Sequence, residues 1–112
     1  MKTETDVLRE CCEYLKSRDI FFWRVNNIPV YGRALPKYTP KGLPDVMAVI
    51  NGVFWGIEFK RPFSENDERE KNGRKVRGGK LTPEQAEWAT KCALAGGRYV
   101  TVRSVGELDA ML

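Results

Sequence analysis

Between two apolar runs the chain reads Asn51-Gly52, and this dipeptide constrains the fold more than any other feature. A two-residue type I′ turn needs positive φ at both positions, which Asn and Gly tolerate. Residues 45–50 and 53–60 are therefore predicted to form an antiparallel hairpin. The register follows directly: Ile50 faces Val53 and, stepping outward, Ala48 faces Trp55, Val46 faces Ile57 and Asp45 faces Glu58. Opposed residues have Cβ atoms roughly 4.5–5.5 Å apart, and like charges at that spacing repel. Counting by twos places Lys60 on the face of Glu58. The other face carries Val46, Ala48, Ile50, Val53, Trp55, Ile57 and Phe59, while Met47, Val49 and Phe54 share the face of the charged cluster. Strands apolar on both faces are expected at the centre of a covered sheet.

Around this hairpin the other elements are short and well punctuated. Val7, Leu8, Cys11, Cys12 and Leu15 recur at helical spacing, so residues 3–18 are predicted to form an amphipathic helix started by Thr3 or Thr5. A β-rich run covers residues 20–25. Residues 27–43 contain Pro29, Gly32, Pro36, Pro40 and Gly42, and residues 61–81 contain Pro62, Gly73, Gly78 and Gly79; both read as loops. Thr82-Pro83-Glu84-Gln85 combines an N-cap, a proline at the first helical position and a capping-box glutamine. The helix it opens is expected to carry Ala86, Ala89, Ala93 and Leu94 inward and to stop at Gly96-Gly97. A strand over residues 98–102 and a terminal helix capped by Ser104 follow. The order αβββαβα predicts an α/β fold, a central mixed β-sheet flanked by helices, with residues 1–112 as one domain.

Composition limits the chemistry. The chain contains no histidine, which excludes Ser-His-Asp and Cys-His nucleophile systems, His-ligated zinc and an imidazole general base. Its cysteines, Cys11, Cys12 and Cys92, form neither a disulfide framework nor a CxxC metal site and read as small hydrophobes in a reducing compartment. The N-terminal residues lack the apolar stretch of a signal peptide and no run is long enough to span a bilayer, so the expectation is a soluble, cytoplasmic protein without membrane contact. Catalysis, if the chain performs it, rests on carboxylates and lysine.

The hairpin supplies that set. Two carboxylates and an amine at the end of a buried hairpin need compensation, since an isolated buried charge costs several kcal/mol. A structural Lys60–carboxylate salt bridge is one solution. A divalent cation is another: hard cations such as Mg²⁺ take oxygen ligands, commonly one or two carboxylates with water and substrate phosphate, and act on phosphoryl groups as Lewis acids. Lys60 beside such an ion can orient water or stabilise developing negative charge.

Gly42-Leu43-Pro44-Asp45 followed by Ile57-Glu58-Phe59-Lys60 resembles the PD-(D/E)xK nuclease core, and within it the virus-type replication-repair nuclease (VRR-NUC) domain. Glu4, Gln85 and Gly96-Gly97 stand in the order of that family's remaining motifs, and the resemblance spans nearly the whole chain. It implies a restriction-endonuclease-like core and a standalone domain of the kind found in phages. The activity implied is Mg²⁺- or Mn²⁺-dependent endonucleolytic hydrolysis of DNA, with branched or junction DNA favoured, in replication, recombination or repair. Asp45 and Glu58 match metal ligands, the Phe59 backbone carbonyl a further ligand, and Lys60 the catalytic lysine. Glu4 matches the helical acid of the site, since Val7, Leu8 and Cys11 follow it on the inward face. Its rival Glu10 is followed by Glu13 on a solvated side, and a helix-dipole role also accounts for Glu4. Gln85 fits catalysis and capping equally. The long 62–81 segment departs from the compact pattern and leaves open whether two subunits pair as a homodimer. A non-catalytic DNA-binding module on the same fold is the alternative reading.

The formal charge of +4 becomes informative once it is divided along the chain. Residues 24–42 hold Arg24, Arg33, Lys37 and Lys41 without an acid. Residues 61–80 hold seven basic side chains against four acidic ones, Lys75, Arg77 and Lys80 among them. These loops flank the carboxylates in sequence and suit phosphate contacts that are independent of base sequence and sensitive to salt. Tyr31 and Tyr38 in the first loop are candidates for stacking on unpaired bases.

Overall fold

The computed structural model describes residues 2–25, 38, 41–63, 70–71, 74–75 and 81–112, with 70–71 and 74–75 described through their backbone. The described elements are α1 (Glu4–Ser17), β1 (Phe21–Arg24), β2 (Val46–Ile50), β3 (Val53–Phe59), β4 (Glu70–Lys71), β5 (Arg74–Lys75), α2 (Pro83–Leu94), β6 (Arg98–Val102) and α3 (Val105–Met111). Four strands form one sheet in the order β1-β2-β3-β6, antiparallel except for the parallel β3–β6 pair. The mixed α/β fold in the expected order is thus present. One departure lies in the 61–81 loop, where β4 and β5 pair as a separate two-stranded ribbon, Glu70 with Lys75 and Lys71 with Arg74. Strands this short have no alternating pattern to read.

The turn forms as its sequence demands. Asn51 has φ 51° and Gly52 φ 79°, both positive as a type I′ turn requires. Ile50 pairs with Val53, Val49 with Phe54, Ala48 with Trp55, Met47 with Gly56 and Val46 with Ile57, the register read from the sequence.

Side-chain alternation gives the sheet two unlike faces. On one, Val46, Ala48, Trp55, Ile57, Phe59 and Val102 are buried against Val7, Cys11 and Leu15 of α1 and Leu108 of α3. Each large aliphatic or aromatic side chain so buried contributes about 1.5–3 kcal/mol, which makes this face the main source of stability. Thr3 caps α1 through the Asp6 N–H, with Asp6 reciprocating to the Thr3 N–H, and Ser104 caps α3 through the Glu107 N–H. Tyr14 donates a hydrogen bond to Asp109, tying the two helices together.

The opposite face is covered only in part. Helix α2 has no buried residue, and its sheet-facing positions are the half-buried Gln85, Trp88, Ala89 and Cys92. The expected inward set is therefore corrected. Ala86, Ala93 and Leu94 point outward, Leu94 being 84% exposed. Alanine carries too little area to orient a helix, whereas Trp88 has a seat that decides the rotation. A Cβ on Gly56 would lie 2.9 Å from the Trp88 ring and 3.0 Å from Pro44, so the missing side chain lets the ring approach strand β3. Trp88 also packs on Phe54 and Tyr99, with ring centroids 6.1 and 5.7 Å away. Among the described residues, no helix covers the β1–β2 half of this face. Phe21, Trp23 and Val49 are exposed, which corrects the expectation of strands covered on both sides.

Gly42 fixes the helix to the loop before β2. Its φ is +80°, and a Cβ there would come within 2.4 Å of the Glu84 backbone and 2.6 Å of the Gln85 nitrogen. Gly42→Ala pays the left-handed penalty of about 1–2 kcal/mol and also displaces the first turn of α2. The expected result is a lower melting temperature by thermal circular dichroism, with the far more exposed Gly52→Ala variant, whose added Cβ meets nothing, losing only the backbone component.

Candidate active site

At the open end of the hairpin the β2–β3 ladder stops at Val46–Ile57. One step further the register brings Asp45 opposite Glu58, and two steps further it would bring Pro44, which has no N–H to donate, opposite Phe59. The Phe59 N–H is bonded by the Asp45 side chain, whose Oδ2 accepts it at 2.8 Å. Its backbone carbonyl accepts the Val25 N–H at 2.9 Å, extending the β1–β2 pairing. Asp45 is thereby held by both neighbouring strands beside Glu58. Phe59 itself is fully buried, with its side chain in the core of the opposite face.

Glu58 is the most constrained charged group among the described residues, 3% exposed. Its Oε1 accepts a hydrogen bond from Gln85 Nε2 at 2.9 Å and lies 3.8 Å from the Lys60 ammonium. Its Oε2 is buried without a hydrogen-bond partner. Lys60 is also buried, 8% exposed. Burial, and then the charge of Asp45, push the Glu58 carboxyl up from 4.5 to about 8, against the opposing pull of Lys60. One nearby lysine therefore does not compensate two carboxylates, and the simple salt-bridge account of the cluster is incomplete.

Glu4 completes the group. It sits in the exposed first turn of α1, and carboxylate oxygens of Glu4, Asp45 and Glu58 lie within 4.8 Å of one another. Glu10, its rival, is engaged by Lys2 at 2.9 Å. An all-oxygen set of three carboxylates, one with an unpaired buried oxygen, fits a hard divalent cation in donor chemistry and charge.

Gln85 caps its helix and also reaches the carboxylates. Its Oε1 accepts the Thr82 N–H at 2.9 Å and its own N–H bonds to Thr82 Oγ1, the reciprocal capping box. The amide's other end donates to Glu58. Capping and site contact are thus two ends of one side chain.

The expected nucleic-acid contacts are less completely placed. Arg24 is exposed at the end of β1. Lys41 lines a hollow of about 240 Å³ with Glu84, Glu87, Trp88 and Lys91, where two acids balance two lysines. Tyr38 is 91% exposed. Lys75 lies in β5, described through its backbone. Arg33, Lys37, Arg77, Lys80 and Tyr31 lie outside the described residues. The sequence reading missed the seating of Trp88 on Gly56, although a lone glycine inside an apolar strand is the signal for such an approach. It also missed Tyr99, whose buried hydroxyl has no hydrogen-bond partner and whose pKa is raised by burial and then by Glu58.

The raised Glu58 pKa has a stability consequence. The folded protein holds this proton more tightly than the unfolded chain, so the contribution to stability is full below about 4.5 and is lost as pH rises toward about 8. In EDTA, Glu58→Gln should raise the melting temperature at pH 8 and flatten its dependence between pH 5 and 8 relative to the parent protein. Equal slopes for the two proteins would show that Glu58 titrates normally.

The fold matches a solved structure described as a VRR_NUC domain with a TM-score of 0.62, covering 98% of this chain and 95% of that one at 20% sequence identity. No family model matches the sequence, and no curated protein matches it. The likeness is one of architecture along nearly the full length, and the chain shares the fold of that VRR_NUC domain.

Proposed function

We propose that this protein is a divalent-metal-dependent DNA nuclease that hydrolyses phosphodiester bonds, selective for branched or junction DNA and acting in replication, recombination or repair. The observation that carries the reading is the buried Glu58 carboxylate, with one oxygen unpaired, grouped with Asp45 and Glu4 and adjoined by the buried Lys60. Like charges concentrated in a poorly solvated site reduce stability without a ligand, and proteins retain such arrangements where function uses them.

Asp45, Glu58, Glu4 and the Phe59 carbonyl would hold Mg²⁺ or Mn²⁺, which supplies Lewis-acid polarisation of the phosphoryl group. Asp45 is pre-positioned by the Phe59 N–H, so its carboxylate does not have to be ordered when ligand arrives. Gln85 fixes the orientation of Glu58 by donating to Oε1. Lys60 places the one buried cationic side chain among the described residues beside these carboxylates, where it can orient the attacking water or stabilise charge developing on the phosphoryl oxygens. The complete set of acids and lysine counts against a fold kept only for binding. Basic residues of the 24–42 and 61–80 segments, including Arg24, Arg33, Lys37, Lys41, Lys75, Arg77 and Lys80, supply the phosphate contacts.

The test is cleavage of single-stranded, duplex, flap and four-way-junction DNA with Mg²⁺, Mn²⁺ or EDTA. Cutting should require the metal and return when Mg²⁺ is added back in excess of EDTA. Asp45→Asn should abolish it and Lys60→Ala should slow it by at least roughly 10²-fold, both with DNA binding largely retained. Full activity in either variant would overturn the assignment. Metal uptake without cleavage of any substrate would instead support the binding module.

A further inference from the structure

The sheet face that carries the carboxylates continues, on the side α2 does not cover, into a pair of exposed aromatic rings. Phe21 is 68% exposed and Trp23 41% exposed on the edge strand β1, with ring centroids 5.4 Å apart and planes tilted by 46°. Their position relative to the site follows from the register. Trp23 pairs with Met47, Phe21 with Val49, and Val25 donates its N–H to the Asp45 carbonyl. Residues two apart on a strand share a face, so Phe21, Trp23, Met47 and Asp45 all lie on the face of Glu58 and Lys60. Trp23 is the diagonal neighbour of Asp45, a separation of roughly 7–8 Å.

Edge strands are commonly protected by charge or by proline. Here the edge presents tryptophan and phenylalanine to solvent instead, and their aromatic character narrows the occupant. Flat rings with exposed π-faces stack on nucleobases whatever the base. The sequence that follows is basic, residues 24–42 holding four basic side chains and no acid. A polyanion whose bases are free to stack satisfies both features, whereas the paired bases of an intact duplex offer no open π-face.

We infer that Phe21 and Trp23 form a stacking platform for unpaired nucleobases next to the cleavage site, so that the substrate is single-stranded at the nucleotides flanking the scissile phosphate. A nucleotide whose base rests on Trp23 carries its phosphate toward Asp45. Among the described residues, helix α2, seated on Gly56 by Trp88, covers the other side of the sheet face, and the β1–β2 side carries the exposed rings. The inference rests on the nuclease reading given above but concerns which nucleic acid is bound, not whether it is cut.

The experiment measures affinity for a single-stranded oligonucleotide and for a blunt duplex of the same sequence, in EDTA. The full chain is compared with a Phe21→Ala/Trp23→Ala variant and with Trp23→Phe. The ratio of single-strand to duplex affinity should fall roughly 5- to 100-fold in the double variant, the range expected for loss of base stacking, and be largely restored in Trp23→Phe. Equal affinity losses for both ligands, or no loss, would overturn the platform. If the double variant fails to fold, acrylamide quenching decides: the single strand should shield emission in the parent protein, and the shielded component should be missing in Trp23→Phe. Sedimentation of the parent as a dimer and the double variant as a monomer, with unchanged affinity ratio, would make the patch a contact with a second copy and overturn the inference. Metal-dependent cutting by the parent with an unchanged ratio in the variant removes the platform alone. A parent protein that neither binds nor cuts any nucleic acid removes the nuclease reading and the platform together.

Discussion

The repulsion between Asp45 and Glu58 is the constraint around which the described structure is organised. A two-residue turn sets the pairing of β2 and β3 without slack, and that pairing brings the two carboxylates together at the far end. The cost is met locally. Asp45 is pinned by the Phe59 N–H, Glu58 takes the amide of Gln85, and Lys60 lies 3.8 Å away. The apolar packing of α1 and α3 on the opposite face supplies the stability that allows this concentration of charge to persist. The two sheet faces thus differ in kind, with the cohesive core on one side and the carboxylate cluster on the other.

The second face depends on absent side chains. Gly56 admits the Trp88 ring to β3, and Gly42 admits the backbone of Glu84 and Gln85 to the loop before β2. Without both approaches, α2 would stand away from the sheet and Gln85 would not reach Glu58. The same economy explains why α2 covers only half the face: a helix anchored by one aromatic seat, with no fully buried residue of its own, does not spread over β1 and β2.

Much of this was legible because it is local. Asn51-Gly52 specifies its turn, period-two alternation specifies the faces, and together they predict the Asp45–Glu58 neighbourhood without knowledge of any other element. Capping at Thr82 and Ser104 is likewise encoded within a few residues. The rotation of α2 was not legible, because alanines give a weak periodic signal and the deciding contact, Trp88 on Gly56, joins residues distant in sequence. The exposure of Trp23 was hidden for a related reason: an apolar residue in a strand reads as covered, and only the extent of the covering helix shows otherwise. The grouping of Glu4 with the hairpin acids was legible from two sides, because helical periodicity put Glu4 on the inward face and Glu10 on the solvated one, and the family resemblance gave the helical acid its place.

Capping boxes accept glutamate and glutamine alike at the third helical position, because only an acceptor oxygen is asked of the side chain. Position 85 in this chain is not so permissive. The acceptor end of the amide is already committed to the Thr82 N–H, leaving only donor hydrogens to turn toward Glu58. A glutamate would cap the helix equally well and bring another anion to a carboxylate that already has too many. The choice between two residues that are interchangeable for helix formation thus becomes a one-letter record of what lies in front of the helix, and distinguishes a cap that only starts a helix from one that also faces a charged site.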